Sequence, residues 1–208
     1  MKLTRFNHAC FALTKNNDTV LVDPGNWSTD ITDLPAITAV IITHEHQDHF
    51  DHSQLSRIAK KFPQATVYAH SDITQQITEL PAHAVAAGDY INHGEFTFSF
   101  YGGDHAIIHP SLPPVANLGV LINQSVYYPG DSFTLPDSPV KALALPVAAP
   151  WMKISEAMDF CTNINASELV FPTHDAILSP QGKTLADTML GKISAVYQRV
   201  NESIEISD

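Results

Sequence analysis

The sequence predicts a layered domain of the α/β or α+β class, with helices covering β-sheets. Three observations predict it. Short apolar or β-branched runs, bounded by Gly, Pro, Asn and Asp, recur along the chain. Stretches with helical apolar spacing lie between them. The chain is 208 residues long and no linker divides it, so a single domain spanning residues 1–208 is expected. At that size about 70% of the unfolded surface is buried, enough for a core without covalent staples.

Residues 11–14 and 19–22 flank Asn16-Asn17-Asp18 and read as an N-terminal hairpin. The run 38–43, Thr-Ala-Val-Ile-Ile-Thr, reads as a strand buried on both faces. Leu55, Ile58, Ala59 and Phe62 follow at helical spacing, and 65–69 is another short strand. The alternating segment 95–101 predicts a strand, and 115–123 with 125–128 predicts two more joined by a tight turn. Residues 141–145 form an apolar strand. Ala157, Met158, Phe160, Cys161 and Ile164 mark a helix with Ser155 as its N-cap and Glu156 in its first turn. Residues 169–171 form the last predicted strand. Leu185, Met189, Ile193, Val196 and Val200 predict one long closing helix.

Composition narrows the function. Eleven Lys and Arg against 22 Asp and Glu give a net charge of −11, which repels phosphate backbones and disfavours a nucleic-acid partner. No run of 18 apolar residues suggests a membrane helix, and the first residues lack the apolar stretch of a signal peptide. Cys10 and Cys161 sit in apolar stretches and read as buried free thiols, which fits a cytoplasmic location. Histidine is abundant: the chain has 11, as many as Lys and Arg together. It is the commonest metal ligand and the usual proton carrier near neutral pH.

Four of those histidines fall in the nine residues 44–52, immediately after the buried strand 38–43. Side chains alternate along an extended chain, so His44 and His46 point the same way. Asp48 and His49 follow as the chain turns toward the next helix. Three imidazoles and a carboxylate within six residues suit a borderline divalent ion, zinc first. The placement recurs. His105 comes shortly after strand 95–101 through Gly102-Gly103-Asp104. Asp131 follows strand 125–128 through Pro129-Gly130, and His174 follows strand 169–171 through Pro172-Thr173. The carboxyl ends of such strands are where α/β proteins build their sites.

This pattern resembles the metallo-β-lactamase-fold hydrolase superfamily. Residues 44–49 match its HxHxDH motif, His105, Asp131 and His174 match the later ligands in order, and Val22-Asp23-Pro24-Gly25 resembles its strand-ending Asp. The resemblance implies a four-layer αββα sandwich with a two-metal site at one sheet edge. It implies that His44, His46 and His105 hold one divalent ion, that Asp48, His49 and His174 hold a second, and that Asp131 bridges them. Zinc is the first expectation, with Mn or Fe as alternatives. Two such ions provide a water-derived nucleophile near neutral pH, which Asp48 would orient as the catalytic residue. Asp23 is either the partner of a ligand imidazole or a turn-forming residue before Pro24-Gly25.

Asp131 stands where the true zinc β-lactamases carry Cys, so β-lactam hydrolysis is not expected. His46 stands where the diiron oxygen-reducing members carry Glu. The stretch Asn7-His8-Ala9-Cys10-Phe11 is most like the branch containing L-ascorbate-6-phosphate lactonase. The expected activity is hydrolysis of an ester, lactone or related bond in a small molecule, with phosphodiester hydrolysis and non-catalytic metal binding as alternatives. Trp151 and Lys153, just beyond strand 141–145, are the candidate substrate-binding residues, and Lys153 suggests an anionic substrate. His8 either faces the metal pocket or closes the first strand, and His109 is an alternative to His105.

Overall fold

Apolar side chains along the central strands alternate between two faces, and each face is covered. Val20 and Val22 point one way and Leu21 the other; Ala142 and Ala144 oppose Leu143 and Leu145. In the computed structural model, which describes residues 1–31 and 34–207, this alternation builds two stacked sheets.

The first sheet contains β1 (Lys2–Arg5), β2 (Phe11–Lys15), β3 (Asp18–Val22), β4 (Ala39–Ile42), β5 (Thr66–Ala69) and β6 (Ala82–Ala84). These strands lie side by side in chain order. The second contains β7 (Tyr90–His93), β8 (Phe96–Asp104), β9 (Ala116–Ile122), β10 (Val126–Tyr128), β11 (Ala142–Pro146) and β12 (Leu169–Thr173), also in chain order. The last strand, β13 (Ser203–Glu205), returns to the first sheet and pairs antiparallel with β1. Parallel pairing runs through β3, β4, β5 and β6, and through β10, β11 and β12.

One apolar cluster fills the space between the sheets, with Phe11, Leu13, Val22 and Ile41 facing Phe96, Phe98, Phe100 and Phe171. A second lies beneath α1 (His52–Lys61) and α2 (Ser71–Thr74), where Leu55, Ile58 and Ile73 meet Leu21, Val40 and Ile42. A third lies beneath α3 (Ile154–Ile164) and α4 (Pro180–Leu190), where Phe160, Cys161 and Leu190 meet Leu143, Leu145 and Val170. The layers therefore run helix, sheet, sheet, helix, the expected four-layer αββα arrangement.

Several expectations need correction. The strand predicted over 95–101 continues to Asp104, so Gly102-Gly103-Asp104 pairs with β9 and does not form a loop. Helix α3 starts at Ile154 with Lys153 as its cap residue, and Ser155 lies inside the helix. The Glu156 carboxylate accepts the Lys153 backbone N–H at 2.6 Å and takes over the end of the helix. The closing helix stops at Leu190, before Gly191, and never reaches Val196. Instead the Val170 N–H donates to Val196 O at 3.0 Å and the Gln198 N–H to Val170 O at 2.8 Å, so this segment covers the open edge of β12. Pairing an exposed edge outweighs a continued helical period. The sequence reading missed β1, β6, β7, β13 and α2 because they are short and lack a clean apolar alternation. The tight turn between β9 and β10 is as expected: Asn123 and Gln124 are both left-handed (φ 52° and 51°), as a type I′ turn requires.

Candidate metal centre

The carboxyl ends of β3, β4, β8, β10 and β12 all reach the same edge, because the parallel pairs and the β8–β9–β10 meander give them a common direction. Each of these ends delivers a polar residue: Asp23, His44, His105, Asp131 and His174. The sheets are tied together here, since the Leu118 N–H donates to Thr43 O at 2.9 Å.

The anchoring of the imidazoles is specific. His49 Nδ1 lies 2.7 Å from Asp23 Oδ2, His105 Nδ1 2.5 Å from Ala106 O, and His174 Nδ1 2.6 Å from Ala148 O. His44 Nδ1 lies 3.1 Å from Thr43 Oγ1, whose own hydroxyl donates to Asp23 Oδ2 at 2.7 Å. All four Nδ1 atoms face acceptors, so in the neutral ring each carries the proton there and Nε2 is the atom left to bind a cation. Those Nε2 atoms converge. His44 Nε2, His49 Nε2, His105 Nε2 and Asp131 Oδ1 are buried without a hydrogen-bond partner. Potential ligand atoms of His44, His46 and His105 lie within 4.8 Å of one another, as do those of His8, Asp48, His49 and His174, and those of His44, His49 and Asp131. A buried lone pair with no donor is costly, and a cation satisfies several at once. The donor set therefore fits divalent metal.

Asp131 lies between the groups: Oδ2 is 3.3 Å from His105 Nε2 and 3.1 Å from His174 Nε2, and Oδ1 is 3.4 Å from His49 Nε2. Asp48 Oδ2 is 3.4 Å from His174 Nε2 and 3.7 Å from His49 Nε2. Burial holds His44 well below the usual imidazole range, and the neighbouring His49 adds to this; burial and then His105 lower His46. Burial also acts downward on His49 and His174, but carboxylates outweigh it. Asp131 and Asp23 raise His49, and Asp131 and Asp48 push His174 up to about 10. Burial opposes ionisation of both carboxyls. Bonds from His174 and His8 nevertheless keep Asp48 low, and His49, His105 and His174 do the same for Asp131.

Asp23 is fully buried and accepts from the Thr43 N–H at 2.8 Å as well as from the Thr43 hydroxyl and His49. It orients two imidazoles, one directly and one through Thr43. His105 joins the cluster, whereas His109 is exposed and pairs with Ser111 Oγ at 2.7 Å. Trp151 reaches the site in a different capacity from the one expected: its indole N–H donates to Asp131 Oδ2 at 2.8 Å and so orients that carboxylate. Lys153 is exposed at the start of α3 and does not line the cavity beside His46 and His105. That cavity, of about 730 Å³, is walled by Glu45 and by the segment 104–115.

His8 is the contributor that the sequence reading left between two alternatives. Asn7 and His8 are both left-handed (φ 70° and 44°), which turns the fully buried His8 ring toward the site. The Ala176 N–H donates to His8 Nδ1 at 3.3 Å, so the proton sits on Nε2, which donates to Asp48 Oδ2 at 2.9 Å. The residues Asn7-His8-Ala9 carried no spacing that tied them to residues forty positions away.

A two-sheet sandwich with a His and Asp cluster at one edge defines the metallo-β-lactamase fold class. The chain belongs to the β-lactamase superfamily domain family, whose model matches residues 2–174. It is similar to Protein Rv0786c of Mycobacterium tuberculosis, with 37% identity over 188 residues covering 88% of each chain. Among solved structures it resembles Igni18, a metallo hydrolase from the archaeon Ignicoccus hospitalis, with a TM-score of 0.76, 18% identity and 99% of each chain covered. It also resembles the metallo-β-lactamase fold protein YhfI from Bacillus subtilis, with a TM-score of 0.76, 18% identity and coverage of 97% of this chain and 96% of that one.

Proposed function

We propose that the protein is a dinuclear metal-dependent hydrolase acting on an ester, lactone or related carbonyl bond of a small molecule. The observation that carries this reading is the convergence of three buried, unpartnered Nε2 atoms, those of His44, His49 and His105, each fixed by an anchored Nδ1, together with the anchored His174 ring, on two carboxylates. In this reading His44, His46 and His105 hold one ion, Asp48, His49 and His174 the other, and Asp131 spans both. Two bound divalent ions, zinc in the first instance, supply Lewis acidity and an activated water at neutral pH.

The chain's own residues do the rest. Asp48 is half-buried, and its carboxylate, fixed by the His8 Nε2–H, is available to orient an attacking water. Trp151 holds the Asp131 carboxylate through its indole N–H. Kinship with the lactonase-like branch belongs to the same proposal and rests on Asn7-His8-Ala9-Cys10-Phe11. A phosphodiesterase would use the same donor set, so substrates must separate the two. Metal-loaded and chelator-treated protein should be compared on chromogenic esters, a lactone and a bis-phosphodiester. The proposal expects metal-dependent turnover of the carbonyl substrates above that of the phosphodiester; turnover of the phosphodiester alone, or of none, overturns it.

A further inference from the structure

We infer that the cavity beside His46 and His105 takes an uncharged or cationic apolar group of the substrate and discriminates against anions; this rests on the hydrolase reading above and names its substrate class. The cavity's volume, about 730 Å³, is that of a small-molecule site and excludes a folded polymer. Its wall includes Ile107, Ile108, Leu112 and Val115. Ile107 is 76% exposed and Leu112 52% exposed, and neither they nor Ile108 belong to any of the three core clusters. Three large aliphatic side chains with no part in the core, gathered on one concave surface next to the candidate metal ligands, have a ready use in desolvating a ligand.

The wall is also stiff. Pro110, Pro113 and Pro114 fix φ along it, the Leu112 N–H closes a turn on His109 O at 3.0 Å, and the Ser111 N–H donates to His109 Nδ1 at 3.2 Å. Binding therefore orders little chain, which favours affinity for a small apolar group.

Charge sets the second half of the inference. Among the described residues no Lys or Arg lines the cavity. Its two formally charged wall residues are Glu45 and Asp104, both exposed and both acidic. An anionic substituent lying in this cavity would meet two like charges and no ammonium or guanidinium, whereas a neutral alkyl or an alkylammonium group would not be repelled. Lys153, the cation that suggested an anionic substrate, is absent from the wall.

The test has two arms. In the first, the metal-free full chain is titrated with hexanol, hexylammonium and hexanoate while the methyl resonances of Ile107, Ile108 and Leu112 are followed by NMR. Hexanol and hexylammonium should shift these methyls and saturate at concentrations at least tenfold lower than hexanoate, and Ile108→Asn should weaken both. Hexanoate binding as tightly as hexanol, or shifts confined to other methyls, overturns the inference. In the second arm, metal-loaded protein is given esters of increasing acyl length and an ester ending in a carboxylate. kcat/KM should rise about two- to fourfold per added methylene until the cavity is full. It should fall for the carboxylate-ended ester, and Glu45→Gln with Asp104→Asn should recover that loss. A flat chain-length series with active metal-loaded protein sinks the inference alone. Absence of all turnover with the binding arm intact sinks the hydrolase reading and leaves the cavity's preference standing.

Discussion

At the scale of single residues, the site depends on groups that fix other groups. Asp23 touches no substrate space, yet it orients His49 directly and His44 through Thr43. Replacing such a partner of a ligand imidazole typically costs 10–100-fold in metal affinity. Asp23→Ala should therefore weaken metal binding by that factor in a competition titration with a chromophoric chelator; an unchanged affinity would show that His44 and His49 are not ligands. His8 bonds Asp48 through Nε2 at 2.9 Å, and its ring packs 4.2 Å from that of His174. His8→Ala should lower kcat about tenfold with little change in KM and no change in bound metal, and His8→Gln, which keeps a donor, should recover part of the loss. Loss of one ion per chain in His8→Ala would instead make His8 a ligand. By contrast, His70 and His93 bond to Asp72 and Tyr68, away from the cluster, and their replacement should alter neither metal content nor turnover.

At the scale of elements, two contacts hold the strand-end loops together. Gly25, in the turn after β3, lies against the loop that carries Asp48 and His49. A Cβ there would fall 1.9 Å from Asp48 O and 2.4 Å from His49 N, both backbone atoms that cannot rotate away. Gly25→Ala should therefore displace the motif loop, lowering both Tm and metal content, and a variant with wild-type values for both would contradict the close approach. The second contact involves the segment after α4, which Arg199 fastens to the rest of the molecule. Its guanidinium bonds Asp187 through Nε at 2.7 Å and a terminal nitrogen at 2.8 Å, and also bonds Asp175, the neighbour of His174. Burial works against ionisation of Asp187, but Arg199 and Tyr197 outweigh it and lower its pKa. A lowered folded-state pKa contributes stability that is present above the unfolded value, about 3.9, and is lost as pH falls through the lower folded one. The Tm gap between wild type and Arg199→Met should thus be widest near neutral pH and shrink below about pH 4. A gap that is constant with pH would assign Arg199 to packing alone.

At the scale of the whole molecule, the two sheets share one core but meet functionally only at the edge where Asp23, His44, His105, Asp131 and His174 emerge. Metal bound between side chains from both sheets would join them, and a ligand that binds only the folded state adds about 2.7 kcal/mol at a hundred times its Kd. For a domain of this size that corresponds to a rise in Tm of about 5–10 °C. Chelation should reverse the rise, and a titration run to saturation should reach two ions per chain; saturation at one ion would overturn the dinuclear proposal.

The sequence by itself determined the parts that depend on local order. The HxHxDH run follows directly on the strand residues Val40-Ile41-Ile42, and Asp131 and His174 each fall just past an apolar run, so strand periodicity and ligand chemistry locate the edge without any knowledge of packing. The layered architecture was legible for the same reason, since central strands buried on both faces require cover on both sides. Tertiary structure decided what depends on distant partners. Val196 follows the helical period of α4, but an open edge at β12 claims it. Trp151 reads as a pocket residue, but Asp131 claims its indole N–H. His8 becomes a partner of Asp48 only because two left-handed residues turn its ring inward across forty positions of chain. The cavity wall from 104 to 115 has no periodicity to announce it, and its apolar, acidic character exists only where Glu45 and that segment face one another in space.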